Sequence, residues 1–236
     1  MPVRSSDVFA DIVSKLDNDS NAFVAKLVNA QNSGDLPVAM GPRLREFPGQ
    51  WRSKFTNVTG DRQAMPLIVE IGCHTGHTLC DMAERHPEAL FVGVDITFKR
   101  VIHTAERARE RGLKNIFVIL ANAGGLSQLF QDGEVDGFVT FFPDPWVKKK
   151  HAHYRLYSEV FCSTVYRQLS RSGFLWLKTD QEPYFQTACE YAKSAGFCET
   201  ASLPVFADGD FSSLFLRRFE LKNLPWYGRK WTKFDA

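Results

Sequence analysis

Leu67-Ile68-Val69-Glu70-Ile71-Gly72-Cys73-His74-Thr75-Gly76 is the stretch on which the fold of this chain depends. Its first five residues are apolar except Glu70, the composition of a short strand covered on both faces. Gly72 and Gly76 then bracket a turn, and residues 78–85 carry a helical pattern. Glycines at a strand-to-helix turn let the backbone approach a ligand, and the helix N-terminus beyond them favours negative charge. A strand that ends in this way and opens a helix is how a parallel α/β sheet begins.

Outward from the turn the pattern repeats. Strands are predicted over residues 90–95, 116–121, 135–142, 174–178 and 197–203, and helices over 97–111, 157–169 and 181–194. In the helix over 97–111, Val101, Ile102, Ala105 and Ala108 recur at helical spacing. Near-continuous apolar strands alternating with amphipathic helices predict an α/β fold with a mostly parallel, doubly wound sheet and helices on both faces. The right-handed crossover rule puts the loops after the strands along one edge. Residues 214–234 are expected to supply a last strand and an ending. In the other direction, residues 31–66 are rich in Gly, Pro, Asn and Arg, with Phe47, Trp51 and Phe55 among them and no sustained period. They read as a loop-rich arm whose arginines suit phosphates and whose rings suit bases. Residues 6–30 show the spacing of two short amphipathic helices packed on the chain's own core. The expected division is an N-terminal helical and loop-rich extension over 1–66 and a main domain over 67–236.

Length and composition, 236 residues at 44% apolar, allow one well-buried domain with a small extension. The net charge of +2 excludes a global basic field, so any polyanion must be met by local clusters. Three are present: Arg43, Arg45, Arg52 and Lys54; residues 148–155; and Arg217, Arg218, Lys222, Arg229, Lys230 and Lys233. Five cysteines at irregular spacings argue against a disulfide framework and for a reducing compartment. Asp7, Asp11, Asp17 and Asp19 stand where a signal peptide needs an apolar core, and no apolar run approaches the roughly 18 residues of a membrane span. A cytoplasmic protein without membrane contact is expected, a monomer or homodimer with no obligatory protein partner.

Two constellations carry chemistry. Around Gly72 the spacing excludes the G-x-G-x-x-G dinucleotide fingerprint. An acid two residues before the first glycine, here Glu70, is the pattern of S-adenosylmethionine-dependent methyltransferases, in which it lies near the charged methionine end of the cofactor. Asp95, ending the second strand, is placed for both hydroxyls of a ribose, and Asn122, after the third, for an adenine edge. The second constellation is Phe141-Phe142-Pro143-Asp144-Pro145-Trp146, followed by Lys148, Lys149, Lys150, His151 and Arg155. Two prolines with φ fixed near −65° hold Asp144 between them and aim its carboxylate. Cations directly behind a fixed acid suit a site that grips a phosphate backbone while chemistry is done on a base. Cys73-His74-x-x-His77-x-x-Cys80 offers metal-ligand side chains too, but they face different ways around a strand end, and no metal is expected.

From about Gly49 to Gly228 the sequence resembles the bacterial tRNA (guanine-N7)-methyltransferase family. Residues 141–151 follow its F-F-P-D-P-W-x-K-K-R-H pattern almost residue for residue, Thr179-Asp180 matches its T-D, and Arg217-Arg218-Phe219-Glu220 falls on its T-x-[YF]-E. The resemblance implies a Rossmann-like class I methyltransferase fold, S-adenosylmethionine as cofactor and tRNA as partner. It also implies roles: Glu70, Gly72, Gly76, Asp95 and Asn122 for the cofactor, and Asp144 at the reacting centre beside it. Lys148, Asp180, Arg217 and Glu220 would hold the substrate, and Lys150, His151 and Arg155 would meet RNA. Guanine N7 has an in-plane lone pair and no proton, so attack on a sulfonium methyl needs alignment and fixed negative charge rather than a general base.

The chain departs from the family pattern at three places. His74 stands for the middle glycine of the cofactor turn, Asn122 for an aspartate and Arg217 for a threonine. His74 and Arg217 favour a second reading, a catalytically weak or inactive RNA-binding relative with the same fold. Protonation of His74 near pH 6.5 would also set a cation beside the sulfonium, so cofactor affinity is expected to fall as pH drops toward 6.

Overall fold

The strand that opens the motif, Leu67–Ile71 (β2), is buried along its whole length, as its apolar run requires. The computed structural model describes residues 22–201 and 214–234 together with Val8, Phe9, Leu203 and Phe206. Two compact units share the chain, one ending at Gln131 and the other starting at Asp132.

In the first unit, Val38–Met40 (β1), β2, Leu90–Asp95 (β3) and Ile116–Leu120 (β4) lie in the order β1-β4-β3-β2. The β1–β4, β4–β3 and β3–β2 pairings are parallel, with Glu70 beside Gly93 and Asp95 beside Leu120. Ala22–Ser33 (α1), His77–Arg85 (α2), Phe98–Glu110 (α3) and the single turn Leu126–Leu129 (α4) complete it. Val101, Ile102, Ala105 and Ala108 of α3 are buried, as their spacing predicts, and so is the polar Thr104. The helix α1 covers the end of the span read as two amphipathic helices and runs three residues beyond it; residues 6, 7 and 10–21 of that span lie outside the described residues.

The segment read as a loop-rich arm is mostly structured. It supplies the strand β1 and two 3-10 turns, Gly41–Glu46 and Trp51–Lys54. Its rings face the core rather than a nucleic acid: Phe47, Trp51 and Phe55 are buried. The Trp51 indole N–H donates to the Leu129 carbonyl at 2.7 Å, and its ring stacks on Phe130 at 5.1 Å and meets Phe117 of β4 edge-on at 6.0 Å. Burying a tryptophan with its one polar atom satisfied stabilises by several kcal/mol, more than exposure on an arm offers.

The second unit is ordered β5-β6-β8-β7 from Val135–Phe141 (β5), Leu169–Thr179 (β6), Cys198–Thr200 (β7) and Tyr227–Thr232 (β8). The β5 and β6 pair is parallel; β8 lies antiparallel to both β6 and β7. Glu159–Gln168 (α5) starts with Ser158 accepting the Phe161 N–H at 3.2 Å, and Glu182–Ser194 (α6) follows β6. Tyr157, buried, ties β5 to these helices: its hydroxyl bonds Thr140 at 2.8 Å, and its backbone N–H donates to the Tyr184 hydroxyl at 3.2 Å. The tail differs from expectation in its first half. Leu214–Leu221 is a helix (α7), and the last strand comes after it. No helix among the described residues is long and apolar enough to cross a membrane.

Candidate active site

Glu70, Asp95 and Asn122 stand at or just past the C-terminal ends of three neighbouring parallel strands. Glu70 is buried, and its Oε2 has no hydrogen-bond partner among the described residues. Burial, and then the nearby Asp95, push its pKa up to about 8. Asp95 is buried as well; Oδ2 accepts the His74 backbone N–H at 3.1 Å and Oδ1 the Thr97 N–H at 2.9 Å. Each of those oxygens has a further lone pair to offer. Burial raises the Asp95 carboxyl, while Arg100, with Nη1 at 3.7 Å, opposes that shift. Asn122 caps the 3-10 turn Ala123–Gly125, its side-chain oxygen accepting the Gly124 N–H at 2.9 Å.

The turn between β2 and α2 is left-handed at Gly72, His74 and Gly76, with φ of 78°, 52° and 74°. Around Gly72 the space is open: a Cβ there would meet nothing within 4 Å, which leaves room for a ligand against the backbone. At Gly76 a Cβ would lie 2.5 Å from the Thr104 methyl, so glycine is demanded twice over. His74 adopts a glycine-like conformation with its ring exposed and its Nδ1 3.1 Å from the Thr75 hydroxyl. Cys73 packs its sulfur toward the Gly93 backbone, and burial pushes the Cys80 thiol up to about 12.

In the second unit three motifs meet. The backbone N–H of Phe142, which follows β5, donates to the Lys178 carbonyl at the end of β6 at 2.7 Å. The Phe142 ring stacks on Phe219 of α7, with centroids 5.4 Å apart and planes 15° from parallel. Phe142 and Trp146, on either side of Pro143-Asp144-Pro145, both have positive φ, 54° and 42°. Bulky residues hold that region only where their surroundings impose it, at about 1–3 kcal/mol each. Asp144, between them, is exposed. Lys148 caps the 3-10 turn Lys149–Tyr154 and is exposed, as is Lys150, while His151 is half-buried against Trp146. Arg155 turns inward, donating from Nε to the Pro145 carbonyl at 3.0 Å and lying over the Tyr184 ring. Asp180, half-buried, accepts from the Gln181 side chain at 2.9 Å. Arg217 and Glu220 are exposed on α7. Lys178 is almost wholly buried, its ammonium 4.7, 5.3 and 5.6 Å from the ring centres of Trp176, Phe141 and Trp226.

Residues 64–209 match the protein family described as "Putative methyltransferase". A tRNA (guanine-N(7)-)-methyltransferase of Brevibacillus brevis is 33% identical over 153 residues, 61% of this chain and 69% of that protein. The chain belongs to the tRNA (guanine-N7)-methyltransferase family. The enzyme of that name from Limosilactobacillus reuteri is 33% identical over 68% of this chain and 72% of its own length. Among solved structures, the 16S rRNA methyltransferase KamB matches at a TM-score of 0.56 with 13% identity, covering 80% of this chain and 95% of that one. A SAM-dependent methyltransferase from Aquifex aeolicus gives 0.50 with 15% identity over 81% and 92%. These neighbours share the fold, in line with the α/β sheet expected from the strand and helix pattern and the Rossmann-like fold that the resemblance implied.

Family membership leaves unmarked the residues that fix the turn from behind. Thr104 of α3 donates to the His74 carbonyl at 3.0 Å, and Arg107, one turn on, donates to the Thr75 carbonyl at 2.9 Å. The sequence held one signal for Thr104: it is the polar member of the otherwise apolar stripe formed with Val101, Ala105 and Ala108. Nothing local marked Phe219 as the partner of Phe142.

Proposed function

We propose that this chain transfers a methyl group from S-adenosylmethionine to N7 of a guanosine in tRNA. The observation that carries the proposal is the span of the family match: residues 64–209 contain both the turn around Glu70 and the loop around Asp144. The first unit fits the cofactor on its own terms. A buried carboxylate oxygen without a partner calls for a donor or a cation, the open backbone at Gly72 admits a ligand, and Asp95 keeps acceptor capacity for a pair of hydroxyls.

Bound S-adenosylmethionine supplies a methyl group on a sulfonium, an electrophile that needs no acid to activate it. The protein's part is to hold and orient. Glu70 takes the amino-acid end, Asp95 the ribose and Asn122 the adenine, with Gly72 and Gly76 giving the backbone its path. Asp144 accepts from the N1–H and exocyclic amine of guanine, which adenine does not present together, and its charge offsets the cationic ring that methylation at N7 creates. No residue has to remove a proton from N7, which carries none. Lys148, Lys150, His151, Arg155, Asp180, Arg217 and Glu220 hold the RNA, Arg155 by bracing the loop that presents Asp144. The five free cysteines and this substrate suit a cytoplasmic enzyme.

Replacing Asp144 by Ala tests the assignment. Transfer should be abolished while cofactor affinity, read by calorimetry, stays within a few fold. Full transfer by Asp144→Ala would remove it from the reacting centre. A parent protein that binds tRNA but no cofactor would instead be the non-catalytic relative.

A further inference from the structure

Trp146 holds a conformation that its side chain disfavours at a place where packing does not require it. Its φ is 42°, where glycine is at ease and a bulky residue is strained, yet 38% of it is exposed. The Arg155 guanidinium imposes the shape, donating to the carbonyls of Pro145 at 3.0 Å and Trp146 at 3.4 Å. Tyr154, 58% exposed, sets its ring 5.2 Å from that of Trp146, and His151 meets the indole edge-on at 5.7 Å. For folding alone, a glycine at 146 relieves the strain and hides an apolar ring from water.

The charges around these rings select the partner. Lys148, Lys150 and His153 are exposed beside them, and neither Lys148 nor Lys150 pairs with a carboxylate among the described residues. Asp144 and Glu159 are the exposed acids on the adjoining loop and helix. Aromatic faces interleaved with unengaged ammonium groups match a polyanion that carries flat rings.

We propose that Trp146, Tyr154 and His151 form a stacking platform for an unpaired nucleobase of the RNA, with Lys148 and Lys150 on the flanking phosphates. The proposal rests on the tRNA reading given above and adds how the RNA is gripped. Stacking accepts any base, because every base has a π face, so the platform fixes the strand's position without reading its sequence.

Equilibrium binding of bulk tRNA to the parent protein and three variants, each across a salt series, tests it. Trp146→Gly, whose backbone takes the same φ without strain, and Tyr154→Ala should each weaken binding by about ten-fold, the scale of one lost stacked base. Tyr154→Phe should bind like the parent, and the slope of log K against log salt should be the same in all four, since no phosphate contact is removed. Unchanged affinity in both Trp146→Gly and Tyr154→Ala would overturn the platform, as would an equal loss in Tyr154→Phe. A parent that binds no tRNA even at low salt would overturn the tRNA reading itself and the platform with it.

Discussion

Glu70 is the residue whose surroundings make the sharpest demand. Burial, and next Asp95, penalise the charge and push its carboxyl from the ordinary 4.5 up to about 8. Between those values the folded form holds more protons than the unfolded chain, so this residue makes stability fall as pH rises through the window. A ligand cation beside it favours the carboxylate, so binding below pH 8 expels a proton and affinity climbs with pH. Calorimetry at pH 7 in two buffers of different ionisation heat should read close to one proton released by the parent and none by Glu70→Gln. Equal proton counts would take Glu70 out of the cofactor site. His74 is expected from the sequence to add to this dependence by protonating near 6.5; partial desolvation, and then Arg100, shift its imidazole below that range, so any protonation comes at lower pH than expected. Its backbone already has the φ of a glycine and its N–H already serves Asp95. Cofactor affinity in His74→Gly should therefore match or exceed the parent's and keep the same rise with pH. Much weaker binding at every pH would make the ring a contact.

At the scale of elements, α3 clamps the turn that β2 and α2 share. Thr104→Val keeps the shape and removes the donor to the His74 carbonyl; the lost or unpaired bond should weaken cofactor binding or stability by about 1–3 kcal/mol, and Thr104→Ser should restore it. Cofactor affinity and unfolding midpoint both at parental values in Thr104→Val would deny the clamp. The aromatic cluster around Trp51 makes a different prediction. Trp51→Ala should lower the unfolding free energy by about 3–5 kcal/mol, as for other large-to-small changes in a core. A loss of RNA affinity with an unchanged unfolding midpoint would return that ring to a nucleic-acid face. The contrast shows what was legible. β2, β3 and β4 are apolar runs covered on both faces, a pattern that composition alone gives away. The strand β1 is three residues long, and two 3-10 turns have no period for a pattern to reveal, so Trp51 looked loose until Leu129 and Phe130 supplied its partners. Nothing local marked Lys178, at the end of a predicted strand, as a buried cation, since Trp226 reaches it from far along the chain.

At the scale of the molecule, the clusters of positive charge are less uniform than the sequence suggests. Arg52 donates to the Met65 carbonyl at 3.1 Å, Lys233 to the Leu169 carbonyl at 3.0 Å, and Arg229 pairs with Glu199. Those cations brace the fold, whereas Lys148 and Lys150 stand exposed on the loop after β5. Neutralising Lys148 with Lys150 should reduce the salt slope of tRNA binding by about 1 to 2, while Arg52→Ala should leave it unchanged. Equal slopes for the double variant and the parent would move the phosphate contacts elsewhere. The fold class, the turn around Glu70 and the loop around Asp144 could be read from sequence because each is local; the clamps from α3 and α7 could not, because they are made between segments far apart in the chain. The proposed reaction leaves a product that can be identified. Purified protein incubated with methyl-labelled S-adenosylmethionine and bulk tRNA, followed by digestion and separation of the nucleosides, should place the label in 7-methylguanosine. Label in any other nucleoside, or none in RNA at all, would contradict it.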